Sequence, residues 1–218
     1  MATVNCGILD GFMGKVGTVV GSFWKGIPVM RAYTRNRHDA RTESQLMLRK
    51  RFAALSELSS GFYQATLVGM HKVAVERSLT EGNVFMEVNF DKVSATGTGT
   101  LNVDYTGLKV ALGRLTGVHF DVPQFDTPQQ VKVDFSANTE CVGTHADDEV
   151  YVFVYCPDAK CGVLSEAVKR SEETATVKVP SYWNGMKVHV WGFAVGAKVN
   201  ERPFEPSESS YIGSGNIG

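Results

Sequence analysis

No run in this 218-residue chain approaches the roughly 20 consecutive apolar residues that a membrane-spanning helix needs, so membrane insertion is not expected. Its first ten residues, MATVNCGILD, do not place a basic segment before an apolar one, and synthesis and folding in the cytoplasm are the expectation. Cysteine is scarce. Cys6, Cys141, Cys156 and Cys161 have neither the count nor the spacing of a disulfide framework. Cys156 and Cys161 can meet across a hairpin, although two reduced, half-buried thiols are the plainer expectation. Their C-x4-C spacing is wider than a zinc knuckle and has no second pair.

Catalytic and metal-binding patterns are missing too. The five histidines (His38, His71, His119, His145, His189) form neither H-x3-H nor H-E-x-x-H. His145-Ala-Asp-Asp-Glu149 concentrates three carboxylates but lacks the D-x-[DN]-x-[DN]-G calcium pattern, and reads as a solvated turn. Gly14-Lys15 fails as a phosphate loop, because Leu9 stands where a glycine is required and Val16 where Ser or Thr is. There is no G-x-S-x-G, and Cys6 and Cys141 have no activating context. A triad assembled in space is beyond the reach of spacing. The expectation is a protein that is not an enzyme, with no metal, no cofactor and no small-molecule substrate.

What is present is ordinary in amount and uneven in arrangement. A composition of 43% hydrophobic and 21% charged residues is that of a globular protein with a real core. Residues 1–51 hold nine Lys/Arg against three Asp/Glu, and the remainder 13 against 20, so +6 and −7 make up the net charge of −1. Such polarity suits head-to-tail stacking of copies, or an anionic partner held at one end.

Residues 5–34 carry six glycines among short β-prone pieces, which denies a helix and permits turns. Trp24-Lys25-Gly26-Ile27 reads as a hairpin tip between strands over 18–23 and 27–33. The polar, basic connector 35–41 leads to Thr42, an N-cap with Gln45 at capping-box spacing. The helix that follows places Leu48, Phe52, Leu55 and Ser59, then Phe62, on one face; Gly61 breaks or bends it, and a second helical piece spans roughly 62–79. From Val84 the period changes to two. Segments 84–90, 100–105 and 108–112 are strand candidates, and 122–128 reads as a boundary or extended edge. Val131–Phe135, Glu149–Tyr155 (a nearly continuous run, as in a central strand), Cys161–Leu164, Thr174–Val179, Lys187–Val195 and Ser209–Ile212 complete a regular series.

The predicted fold is mainly β, α+β overall. It divides into a Gly-rich basic arm (1–40), a helical segment (41–80), short strands packing with the helices (81–121), and an immunoglobulin- or fibronectin-III-like β-sandwich (122–218) expected to fold alone. Trp191 is expected to be buried with its indole N–H bonded.

Residues 7–31, GILDGFMGKVGTVVGSFWKGIPVMR, resemble the opening block of an uncharacterised family of Bacteroidetes proteins, a domain of unknown function that begins G-I-L-x-G-F-x-G-K-V-G-T-V-V-G-x-x-W-K-G. RTESQLMLRKRF at 41–52 is similar to the T-x-x-Q…R…F helix that succeeds it there. The resemblance implies no catalytic residues. A Gly-rich hairpin, a T-x-x-Q helix and an Ig-like end also resemble small phage and prophage virion proteins, an analogy of architecture.

The functional expectation is a structural or assembly protein, such as an auxiliary capsid, decoration or head–tail connector subunit of a phage or phage-like particle. Its partners would be itself or other particle proteins. The alternative is a host-encoded Ig-like module that binds a protein, glycan or nucleic acid. Phe23, Trp24, Ile27, Val29 and Arg31 are the candidate interface, because a small ribbon cannot cover large apolar side chains. That ribbon docks on a second subunit, or folds back on the 42–79 helices. Arg35, Arg37, Arg41, Arg49, Lys50 and Arg51, with Arg31, form either a patch for an anionic partner, nucleic acid included, or a positive face that meets an acidic β-domain.

Overall fold

Lys25 and Gly26 hold φ of 46° and 81°, the left-handed pair that a two-residue type I′ hairpin turn requires. They sit at the tip the sequence marks, in a computed structural model that describes residues 3–4, 12–35, 39–95, 101–141, 143–196 and 205–218. The chain separates into two compact units, Met1–Glu43 and Ser44–Gly218.

The first unit is a four-stranded antiparallel meander in the order β1 (Thr3–Val4), β2 (Phe12–Val16), β3 (Val19–Trp24), β4 (Ile27–Ala32). The expected two-stranded ribbon therefore has two further strands. Gly17, with φ of 58°, turns the chain between Val16 and Val19, which are register partners. Gly21 is buried, and a Cβ there would fall 2.2 Å from the Phe12 carbonyl oxygen and 2.8 Å from its ring.

The second unit begins with helices α1 (Glu43–Gly61), α2 (Tyr63–Gly69), α3 (His71–Glu76) and α4 (Glu81–Asn89). Thr42 directly precedes the first helical residue, where the sequence places its cap. Gly61 is the last residue of α1, and a Cβ there would come within 2.7 Å of the Tyr155 ring. Leu55, Leu58 and Phe62 are buried, but Leu48 and Phe52 are 52% and 56% exposed. The apolar face thus begins one to two turns later than helical period suggests, since only the C-terminal half of α1 lies on the core. Beyond the helices run β5 (Val93–Ala95) and β6 (Leu101–Val103), then β7 (His119–Phe120), β8 (Gln130–Ser136), β9 (Glu149–Cys156), β10 (Cys161–Leu164), β11 (Val168–Lys169), β12 (Thr174–Lys178), β13 (Lys187–Val195) and β14 (Ser210–Asn216).

Two of the expected strands are something else. Residues 84–89 lie in α4, which Thr80 caps by accepting the Asn83 N–H at 3.2 Å, and Phe90 opens the 3-10 turn that follows. Residues 108–112 form no strand and join no ladder. Buried Asn89 stands in for a strand there: its amide donates to the Lys109 carbonyl at 2.9 Å and accepts the Lys109 N–H at 2.8 Å.

The remaining strands make two stacked sheets, β10-β9-β13-β14 with β11 alongside β9, and β12-β8-β7. The larger sheet is buried on both faces. Toward the helices it presents Phe153 and Tyr155 of β9 with Trp191 and Phe193 of β13, packed on Leu55, Phe62 and Phe85. Toward the smaller sheet it presents Val150, Val152, Val154, Val188 and Val190, packed on Val131, Val133, Phe135, Ala175 and Val177. Aromatic residues alternate with aliphatic ones because the pleat sends successive side chains to opposite layers. Phe62 is the hub of the helix side, with ring centroids of Tyr155, Phe153, Trp191 and Phe85 at 4.5, 5.0, 5.1 and 5.3 Å. The protein is mainly β within an α+β fold: a sandwich-like pair of sheets, with helices as a third layer on one of them.

Candidate assembly interface

Register decides what the N-terminal sheet can present. Trp24 pairs with Ile27, Ser22 with Val29 and Val20 with Arg31, so Trp24, Ile27, Val29 and Arg31 share one face. Lys15, the partner of Val20, belongs to it as well, and its ammonium sits 3.5 Å from the centre of the Tyr33 ring. Phe23 pairs with Pro28 and stands on the opposite face. Four of the five candidate interface residues are thus brought together and the fifth is not. Trp24 is 44% exposed, and Phe23, Ile27, Val29 and Arg31 are exposed also. Lys15 and Tyr33 complete the face, and the hydrophobic pattern alone did not assign them to it. Once β2 is recognised as a strand, period two does.

The basic residues have separate fates. Arg31 is on the sheet, Arg35 is exposed just past β4, and Arg41 stands 3.6 Å from Asp39. Arg37 lies outside the described residues, as do Cys6 and His38. Arg49 and Lys50 are exposed on α1. Arg51 is engaged within its own unit: it donates to the carbonyls of Val93 at 2.7 Å and Phe90 at 2.9 Å, and its guanidinium lies 4.3 Å over the Phe90 ring.

In the second unit, Cys156 and Cys161 are directly opposed across the β9–β10 hairpin as free thiols, Cys156 buried and Cys161 half-buried. Cys156 Sγ is 3.7 Å from Met186 Sδ. Arg170 and Asp148 are both fully buried, with Nε 3.5 Å from the carboxylate. Arg170 also donates to the carbonyls of Thr116 at 2.8 Å and Ala137 at 3.2 Å, while Asp148 accepts the His145 N–H at 2.9 Å. This buried pair ties three loops at one end of the sandwich; removing one partner strands a charge, which costs on the order of 3–5 kcal/mol. Asp148 of the acidic stretch is therefore an internal counter-ion, not part of a wholly solvated turn. Among the described residues no group of three or more His, Cys, Asp or Glu side chains is placed to hold a metal ion, and no helix is long and apolar enough to cross a membrane.

The N-terminal unit is thus a small sheet with large exposed side chains, and the second unit a three-layer α+β body. The chain belongs to the family of unknown function DUF6266, whose model matches residues 11–213. No curated protein and no solved structure matches it.

Proposed function

We propose that this protein is a non-enzymatic structural subunit, a component of a phage or phage-like particle such as an auxiliary capsid, decoration or head–tail connector protein, and that its N-terminal sheet is the docking element. The observation that carries the reading is the shared face of Trp24, Ile27, Val29 and Arg31 on a compact unit separate from the main core. Aromatic and Arg side chains dominate protein interfaces, each contributing ~2 kcal/mol or more when centrally buried. The sandwich, which carries most of the acidic residues, is the part displayed. Electron microscopy of the purified chain tests the proposal. The full-length protein is expected to form rings, tubes or lattices at high concentration. Trp24→Ala with Ile27→Ala is expected to abolish them without moving the melting temperature. A double variant that assembles like the parent, or a parent that forms no particle alone or with the products of neighbouring genes, overturns it.

A second reading, a host-encoded binding module, is favoured by one observation. Lys15, Trp24, Arg31 and Tyr33 combine cations with aromatic rings on a single face, which suits a single-stranded nucleic acid. Binding of an oligonucleotide that weakens steeply with salt and is lost in Trp24→Ala with Arg31→Ala would select this reading over the first.

A further inference from the structure

The opposite face of the same sheet has a different composition. Phe12, Val16, Val19, Phe23, Pro28 and Met30 stand on it, together with Gly14, Gly21 and Ala32, by the pairings Gly14 with Gly21, Val16 with Val19, Gly21 with Met30 and Phe23 with Pro28. Among the described side chains of β2–β4, none on this face carries a charge or a hydrogen-bonding group. Met30 is 71% exposed, Val16 54% and Phe23 40%. An apolar sheet face is stable in water only when another layer covers it.

We propose that this face packs against the same face of a second copy of the chain, making a two-layer sandwich about a two-fold axis. The inference deepens the assembly reading, on which it rests for taking the N-terminal unit as a docking element. Charge placement selects a second copy as occupant. Lys15 and Arg31 point from the other face, Lys25 is in the tip turn and Arg35 lies beyond β4. Two copies therefore meet with no like charges opposed, and a charged partner would have nothing to pair with. An isologous contact needs such a self-complementary patch.

Pairing of the free β4 edges is the weaker geometry. Trp24 and Ile27 flank the tip turn as a hydrogen-bonded pair, so the next pair, Phe23 and Pro28, turns its backbone groups outward. Pro28 has no N–H to offer at that edge, the usual place for proline in a sheet. Stacking face to face needs no edge donor.

Size sets the strength. Three strands of five or six residues and a two-residue one, ~3.4 Å per residue and ~4.8 Å apart, give a footprint of roughly 300 Å² per copy. Even allowing for side-chain relief, the total is well short of the ~1,600 Å² of a standard interface. The dimer is accordingly a weak one, firm only when other contacts hold the copies together.

Sedimentation of the full-length chain from about 1 to about 300 µM, at about 0.1 and 1 M NaCl, tests this. The expected result is reversible self-association whose first step is a dimer, and which high salt leaves intact or strengthens, because apolar burial is not screened. Val16→Asp with Met30→Asp is expected to weaken it at least tenfold, whereas Ser22→Asp, on the other side of the sheet, changes it less than threefold. A monomer at every concentration overturns the proposal, as does a dimer that high salt dissociates, which is the signature of head-to-tail charge pairing. Equal loss in Ser22→Asp overturns it too, and so does a lowered melting temperature for the Val16/Met30 variant of a monomeric parent, which would mean that the chain covers its own face. The two readings fail separately. A dimer that never builds particles refutes the assembly function alone, while particles that survive Val16→Asp with Met30→Asp refute only this contact.

Discussion

His189 stacks on Tyr105 at 4.2 Å, lies 2.9 Å from the Tyr211 hydroxyl through Nδ1, and is buried on the helix side of β13. Burial, with Lys187 adding to it, pushes its imidazole down to about 4. An unfolded histidine titrates near ~6.5. Above that pH both states are neutral and His189 contributes no pH dependence. As pH falls below it, the unfolded chain takes up a proton that the folded chain refuses, so stability drops until the folded group also titrates, near 4. The full effect is at most about 3 kcal/mol. Thermal melts between pH 7 and 4.5 are expected to show a falling melting temperature, with a visibly shallower fall in His189→Phe. Parallel curves would exonerate the imidazole. Trp191, two residues on, is fully buried as its place in an alternating strand suggests, but its indole N–H finds no hydrogen-bond partner among the described residues. Alternation foretells burial; it does not foretell a partner, which must come from another part of the chain. Arg170 makes the same point, since nothing beside it in sequence announces a fully buried guanidinium.

Strands were the most legible elements and α4 the least. Val84, Met86, Val88 and Phe90 fit a period of two, yet Val84, Phe85 and Val88 fit a helix equally well. The helix prevails because it lets Phe85 reach Phe62 while Thr80 closes its N-terminus. Thr80→Ala is expected to cost about 1 kcal/mol and to lower the melting temperature by roughly 2–4 °C; Thr80→Ser should restore most of it. No shift in the alanine variant would mean the cap is idle. In the N-terminal sheet, the tip and the two strands beside it were readable from Trp24-Lys25-Gly26-Ile27. The sorting of Phe23 away from Trp24, Ile27, Val29 and Arg31 follows from register, which the turn type sets.

Across the full chain, the helices and the larger sheet share one core, and this changes what residues 122–218 can do alone. Without Leu55, Phe62 and Phe85, one whole face of that sheet, Phe153, Tyr155, Trp191 and Phe193, would meet water. The fragment 122–218 is therefore expected to aggregate or to lack a near-ultraviolet circular dichroism signal. Residues 44–218 are expected to melt cooperatively at nearly the full-length temperature. A soluble 122–218 with the parent's melting behaviour would show the helical layer to be dispensable. Local chemistry was enough to specify the strands of the sandwich and the tip turn of the N-terminal hairpin, because a period of two and a left-handed Lys-Gly pair are properties of a few neighbouring residues. The mainly β class and the N-terminal hairpin were legible for that reason. Which half of α1 is buried, that Asn89 substitutes for a strand, and that β9 and β13 are covered on both faces were settled only when distant segments met, since burial belongs to the pair of surfaces in contact and not to either sequence alone.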